Sequence, residues 1–564
     1  MTSTLETPFA TEAQVDAAIA DLTRGAARWA VMGLRERITL LERTQRSVAG
    51  AAGAWVAAAI AAKGIPQGPL EGEEWMSGPY ATLTGIGAVV DSLTKIANGK
   101  SPTAGLKVRR APGNRAAFTM LPGSLLDSSV LNGFKGEVWL KPGVSADEAR
   151  RKAGLGARRL GEDGGVGLVL GAGNVSAIGP LDVLYELIAY NRVSVLKLNP
   201  TFAGLAAAYQ AAFAPLIDAG LLRIVNGAAE IGQYLTAHPG IGHVHITGSA
   251  VTHDMIVWGS HTEKTGEPRL DKPITSELGG VSPIIVVPGT WDDEDLRYQA
   301  EHVATQRFHN CGHNCIGGQA LILSADWPQK EAFLAELRRV VQDLPERTSW
   351  YPGTEKKIAA ADAAYPDAEH LNGRVLLKVN SSTSQDALTT EYFGPVLAHT
   401  ELPGTGIDFL RAAVAFSNDR LDGSLGASMI VAPEDRKAMG AAFDEAVADL
   451  RYGTIGINVW SAIGFLVPGL SWGAYPGNTL SDVGSGIGIV HNSHLLQDVE
   501  RSVVTGPFRP FPRSIAHGEA SLFPKPAWFV TAKSAKSVAE HLTRFAAQPG
   551  WSKLPGIFNQ AFRA

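Results

Sequence analysis

"GLVLGAGNVSAIGPLDVLYELIAYNRVSVLKLNP" runs from Gly167 to Pro200. It opens on a short apolar run, "GLVL", turns through small residues, and continues as "PLDVLYELIAY" with apolar side chains at helical spacing. "VSVLKLN" then reads as a second strand. A buried strand, a turn, a helix and another buried strand form the unit from which parallel sheets are built. The rhythm persists downstream. "GLAAAYQAAFAPLIDAG" reads as a helix, "LLRIVNG" as a strand, "AEIGQYLTAH" as a helix and "GHVHITGS" as a strand. The expectation is an α/β domain with helices on both faces of a parallel sheet. Such sheets take ligands at the carboxyl ends of their strands, here the loops 171–176, 197–201 and 247–250.

Upstream, the first hundred residues read as helices, with Thr11 and Gln14 spaced as a capping box. "VRRAPGNRAAFTMLPGSLLD" reads as irregular segments and short strands, and "GEVWLKPG" (136–143) as a short strand. After Thr275 a second α/β block begins with "SPIIVVPG", the helical "DDEDLRYQAEHVATQRF" and the strand "QALILSADWP", and continues to about residue 460. The tail beyond about 505 is rich in Pro and aromatics and carries one amphipathic helix at about 534–546. It reads as a docked extension.

Composition narrows the class. The chain has 564 residues, 45% apolar and 19% charged, with a formal net charge of −5. That is an ordinary globular composition. Without a block of like charges, nucleic acid and anionic membranes are unlikely partners. Two cysteines in this length exclude a disulfide framework and suit a reducing cytoplasm. The N-terminal stretch "MTSTLETPFATEAQVDAAIADL" lacks the apolar core of a signal peptide. "VAGAAGAWVAAAIAA" (48–62) is too short to span a bilayer and reads as a packed helix.

Both cysteines lie in "FHNCGHNC", Phe308 to Cys315, beside two of the 14 histidines. Four alternating ligands would line one face of a strand rather than surround an ion, and no second Cys pair exists, so zinc is disfavoured. A disulfide between Cys311 and Cys315 needs their Cα atoms within about 7 Å. Spacing alone leaves a nucleophilic thiol and structural thiols equally open.

Three further segments accompany this one: "ELGGVSP" (277–283), "EYFGPVL" (391–397) and "GAGN…VLKLNP" (171–200). With Phe308, Asn310, Gly312 and Cys315, and in this order, they resemble the aldehyde dehydrogenase superfamily over roughly residues 15 to 500. The resemblance implies a Rossmann-like cofactor domain (1–124 and 166–274), an α/β catalytic domain (275–470), a small β oligomerisation flap (125–165 and 495–508) and a C-terminal extension (509–564). It implies oxidation of an aldehyde to the acid with NAD(P)+. Cys315 is then the nucleophile, Asn174 the oxyanion donor and Glu277 the base that activates water. Lys197, Gly248, Ser249, Leu278, Glu391 and Phe393 are the implied cofactor contacts. Trp460, Phe465 and Phe308 are the implied substrate contacts, suited to an apolar or aromatic aldehyde. Packing between subunits is the competing use of the apolar loop at 461–477. A homodimer or homotetramer in the cytoplasm, with no metal, completes the expectation. Gly312 is expected to let the backbone approach the cofactor. The histidines are expected to shape the surroundings of the thiol, where an imidazolium would lower its pKa.

The sequence also departs from that pattern. Ala172-Gly173-Asn174 replaces Pro-Trp-Asn, and His313 replaces a glutamine. Pro200 stands where many NAD-preferring members carry a ribose-binding carboxylate, which favours NADP or dual use. His253 replaces a second glycine. "GNVSAIGPLDVLYELIAYNRVSVLKL" also has some likeness to fatty acyl-CoA reductases. That keeps a CoA-linked acylating dehydrogenase or acyl-CoA reductase as the alternative. Glu277 favours hydrolysis, because CoA is its own nucleophile.

Overall fold

The structure is a computed structural model that describes residues 9–383 and 386–563. Residues 1–8, part of the stretch read above for a leader, lie outside the described residues. The capping box closes the first helix, Glu12–Val31: the Gln14 N–H donates to Thr11 Oγ1 at 3.3 Å and the Thr11 N–H to Gln14 Oε1 at 2.9 Å. The alanine-rich run lies in the helix Leu34–Lys63 and buries Val48, Ala52, Trp55 and Ala59. Among the described residues no helix is long and apolar enough to cross a membrane.

The quoted stretch forms the strand Val166–Leu170, the helix Ile178–Ala189 and the strand Val193–Lys197. They belong to a six-stranded sheet ordered Gly486–Ile487, Ile274–Leu278, His243–Gly248, Val166–Leu170, Val193–Lys197, Leu222–Val225. All neighbours are parallel except the first pair. Strand order, which runs from Val166–Leu170 outward to Leu222–Val225, resumes on the other side of Val166–Leu170 with His243–Gly248, and that is the topological switch point of a doubly wound sheet. Trp29 and Trp55 of the N-terminal helices share one apolar core with Leu168, Val195 and Ile246 of this sheet. The helix expected over 204–220 is broken into a 3₁₀ turn and two short helices around Phe213, where Pro215 withholds an N–H.

An eleven-stranded sheet forms the other half. Its parallel centre runs Val499–Thr505, Thr454–Ile457, Gly426–Ile430, Ser282–Val286, Gly318–Ser324, Val396–Leu402 and Arg374–Lys378, with Glu369–Leu371 antiparallel at one edge. On the other edge an antiparallel meander, Val108–Ala111, Arg115–Leu121 and Lys135–Leu140, joins Val499–Thr505. The expected boundaries shift accordingly. Arg115–Leu121 pairs with the flap strand and carries Val108–Ala111 with it, so residues 108–121 belong to this sheet rather than to the first. The division at residue 275 falls inside Ile274–Leu278, a strand hydrogen-bonded to His243–Gly248.

The tail from 509 docks along this half. Arg509 donates to both Asp295 carboxylate oxygens, at 2.7 Å from Nη2 and 3.0 Å from Nε, and Arg513 reaches Asp292 and Asp295. Lys525 and Thr531 both meet Glu301, at 2.6 and 2.9 Å. The helix Ala535–Ala547 crosses Gly72 so closely that a Cβ there would lie 2.6 Å from the Ala535 carbonyl carbon. A second tail helix, Leu554–Ala561, was not apparent in the sequence. Gly72→Val should therefore push the tail helix off, at a cost of about 1–3 kcal/mol. The expected result is a lower Tm and new proteolytic cuts after residue 509, read by mass spectrometry. An unchanged digestion pattern would show that the contact does not hold the tail.

Candidate functional site

A cavity of about 970 Å³ opens at the switch point. The turn Gly171–Asn174, Lys197, Asn199, and Gly248 and Ser249 all line it, each at the carboxyl end of a strand. Ser249 caps the helix Ala250–Trp258, its Oγ accepting the Thr252 N–H at 3.2 Å. Val251 and Thr252 also face the cavity, so the positive end of that helix dipole opens onto it.

The opposite wall comes from the other sheet. Glu391 is half-buried, with its Oε1 sealed and lacking a hydrogen-bond partner among the described residues. A Cβ on Gly279 would lie 2.2 Å from that oxygen, so only glycine admits the carboxyl here. Burial pushes Glu391 up to about 7, against the opposing pull of Lys357 and Arg307. Phe393 has φ +40° and meets Tyr351 edge-on at 4.9 Å. An orphaned buried acceptor, a lysine and an open helix N-terminus on one elongated cavity fit the hydroxyls and pyrophosphate of a dinucleotide.

The cysteine arrives on an unusual backbone. Asn310, Cys311 and Gly312 have φ of +53°, +56° and +78°, three left-handed residues in succession. The Asn310 side chain holds this turn. Its Nδ2 donates to the His313 carbonyl at 2.9 Å and to the Asn174 carbonyl at 3.0 Å, while its Oδ1 accepts from Lys63 Nζ at 3.1 Å. The Asn310 N–H donates to Glu73 Oε1 at 3.2 Å. Asn174 Nδ2 donates to the same His313 carbonyl at 3.0 Å, leaving its second N–H for the cavity. Sequence reasoning singled out Asn310 only as a motif letter and missed Lys63, Glu73 and Glu74. Their one signal was charge within a helical, largely apolar stretch: Lys63 and Glu74 are fully buried and paired at 2.6 Å.

Cys315 faces Glu277, the penultimate residue of Ile274–Leu278. Burial and the two carboxyls, Glu277 and then Glu391, hold the thiol well above its ordinary range. Burial likewise pushes Glu277 up to about 7, opposed by its contact with Cys315. Beyond the thiol lies a second, slender cavity of about 60 Å³ with walls from Val175, Ile178, Trp460, Phe465 and Trp472. Of the described residues, Asn174 and Cys315 alone line both cavities.

Several expectations are corrected. Phe308 ends the helix Asp293–Phe308 and turns into the core with Leu321 and Leu376; His309 lines the slender pocket instead. Leu278 is fully buried, because strand alternation sends it away from the cavity that Glu277 and Gly279 face. Gly312 approaches protein rather than the cavity: a Cβ there would lie 2.2 Å from the Gly394 carbonyl oxygen. Neither histidine supplies an imidazolium. Burial pushes His313 down to about 3, and its Nε2 pairs with Thr354 Oγ1 at 2.9 Å. Burial also lowers His309. Cys311 is buried 3.7 Å from Ser349 Oγ and packs as a small residue. Among the described residues no three His, Cys, Asp or Glu side chains gather to hold a metal.

The electrostatics have a sign that can be measured. A carboxylate beside a thiol opposes its ionisation. Glu277→Gln should therefore shift the pH profile of Cys315 alkylation by iodoacetamide to lower pH, with faster labelling at pH 8. An upward or absent shift would mean that the carboxyl does not face the thiol.

Residues 164–355 match the sequence profile of the aldehyde dehydrogenase family. In fold, the chain is similar to an aldehyde dehydrogenase of Mycobacterium tuberculosis complexed with NAD+. The TM-score is 0.60 at 20% identity, over 88% of this chain and 91% of that one. It is also similar to the gamma-glutamyl-gamma-aminobutyraldehyde dehydrogenase of Burkholderia cenocepacia J2315, with TM-score 0.58 at 19% identity over 87% and 88%. An NAD-dependent aldehyde dehydrogenase of Sinorhizobium meliloti gives TM-score 0.53 at 19% identity over 90% and 89%. The profile match takes in the strands from Val166–Leu170 to Ile274–Leu278 and the cysteine loop, and in fold the chain resembles the aldehyde dehydrogenases over both sheets.

Proposed function

We propose that this protein oxidises an aldehyde to its carboxylic acid with NAD(P)+ through a thioester on Cys315. One observation carries the reading: the large chamber and the slender apolar pocket meet at Asn174 and Cys315. A carbonyl carbon at that junction has a nucleophile, an amide donor and a cofactor chamber around it.

In this reading the Cys315 thiol loses its proton to solvent, its sulfur bonds to the carbonyl carbon, and the C=O π pair moves to oxygen. The free N–H of Asn174 and the Cys315 backbone N–H stabilise the oxyanion, a role suited to donors fixed in place before the reaction. NAD(P)+, when bound, supplies the two-electron acceptor that turns the adduct into a thioester. Glu277 then takes a proton from water as the water oxygen bonds to the acyl carbon and the C–S bond breaks. A carboxyl with pKa about 7 suits that duty near neutral pH. Lys197, the Gly248–Ser249 turn and Glu391 would hold the adenosine ribose, the pyrophosphate and the nicotinamide ribose. Pro200 offers no carboxylate to repel a 2′-phosphate, so either NAD or NADP is accepted. Glu277 against the thiol supports hydrolysis over transfer to CoA. The edge strand Val108–Ala111, at one end of the eleven-stranded sheet, is the surface we assign to pairing of subunits.

An aldehyde panel with NAD+ and NADP+, each with and without CoA, tests the assignment. Wild type should form acid without CoA, and Cys315→Ala should be inactive. Glu277→Gln should lose about 10²-fold or more in kcat, with a burst of one reduced cofactor per site. The wild-type rate should rise as pH passes upward through about 7, because the deprotonated Glu277 is the base. Full activity in Cys315→Ala, or CoA-dependent turnover unaffected by Glu277→Gln, would overturn the proposal.

A further inference from the structure

The slender pocket does not end at its apolar walls. A smaller chamber of about 20 Å³ continues from it, and Glu73, Met76, His309 and Trp528 line both. Cys315 and Asn174 line the first chamber and not the second. These four residues therefore form a neck at the end of the pocket away from the thiol. Trp528 belongs to the C-terminal extension, which is anchored beside the neck by the Val530 N–H donating to Thr305 Oγ1 at 3.1 Å and by Lys536 on Glu71 at 2.8 Å.

The neck is polar in a specific way. Trp528 is 8% exposed, and its indole Nε1 is sealed from solvent without a hydrogen-bond partner among the described residues. His309 Nδ1 is in the same condition. Buried polar groups are nearly always paired, and both of these unsatisfied ring nitrogens belong to residues of the neck. The indole can only donate, whereas a neutral imidazole nitrogen can accept. The charges around the neck pair off: Glu73 with Arg347 at 2.6 Å, and Lys63 with Glu74 at 2.6 Å. A charged ligand group would find no unpaired counterion there. A hydroxyl carries both complements: its oxygen can accept from an indole N–H and its proton can go to a neutral imidazole nitrogen.

We propose that this neck is a subsite for a hydroxyl at the far end of the substrate, so that the preferred aldehydes are slender, apolar in the middle and hydroxylated at the end opposite the carbonyl. The proposal rests on the reading of Cys315 as the carbonyl end, and it makes the extension part of substrate selection.

Matched aldehydes test it: 4-hydroxybenzaldehyde against 4-methylbenzaldehyde, and 6-hydroxyhexanal against heptanal. The readout is the ratio of kcat/KM within each pair, which is insensitive to a partly folded variant. Wild type should favour the hydroxylated member of at least one pair by about tenfold. Trp528→Phe and His309→Phe should each bring that ratio toward one. A wild-type ratio near one in both pairs, or a preference that survives both substitutions, overturns the proposal. Calorimetric binding of the same pairs to Cys315→Ser separates this from the catalytic reading. Preferential binding of the hydroxylated aldehyde, without turnover of any aldehyde by wild type, would uphold the subsite while sinking the activity. Turnover without any binding preference would do the reverse.

Discussion

Three successive left-handed residues place the thiol, and one side chain holds them there. A non-glycine residue in this conformation costs roughly 1–2 kcal/mol, and Asn310 and Cys311 both adopt it. The Asn310 amide offsets that cost by tying the His313 and Asn174 carbonyls together across two sheets. Lys63 and Glu73 in turn hold Asn310 from the N-terminal helical segment. The turn is thus a junction of three parts of the chain. Glycine is required at its third position because the Gly394 carbonyl occupies the place of a side chain. Through Gly394 the turn is also coupled to the loop that carries Glu391 and Phe393, and the Arg307 guanidinium bonds to carbonyls on both sides of that contact.

Around the junction, burial sets the chemistry. Two carboxyls and a thiol line one cavity, and both carboxyls raise the cost of ionising the thiol. The outcome is a thiol kept protonated and two carboxyls pushed up to about 7. Under the proposed reading, a positively charged cofactor in the chamber would ease ionisation of the thiol.

Much of this was legible in the sequence. Parallel strands buried on both faces are continuous apolar runs, so the strands from Val166 to Gly248 stand out without any knowledge of their partners. The placement of Asn174, Glu277, Glu391 and Cys315 on one cavity agrees with the order of their motifs. Leu278 could have been set aside from strand alternation alone. Phe308 could not: whether Phe308 or His309 meets the pocket depends on where the helix stops, and the left-handed turn that stops it has no simple sequence signature. The meander was harder to read, because Arg115–Leu121, with Val108–Ala111 as its hairpin neighbour, pairs with Lys135–Leu140 only across the intervening helix Leu125–Val130. Glu73 and Trp528 were invisible as site residues, since they come from segments over two hundred residues from the cysteine on either side.

The central claim is that Cys315 carries the acyl group. The most direct measurement is peptide mass spectrometry on Glu277→Gln, mixed with an aldehyde and NAD(P)+ and quenched in acid. The account predicts a stoichiometric adduct of the aldehyde mass less two hydrogens on the peptide containing Cys315, confined to that residue by fragmentation. An adduct on Cys311, or an aldehyde oxidised with no adduct on either cysteine, would contradict it.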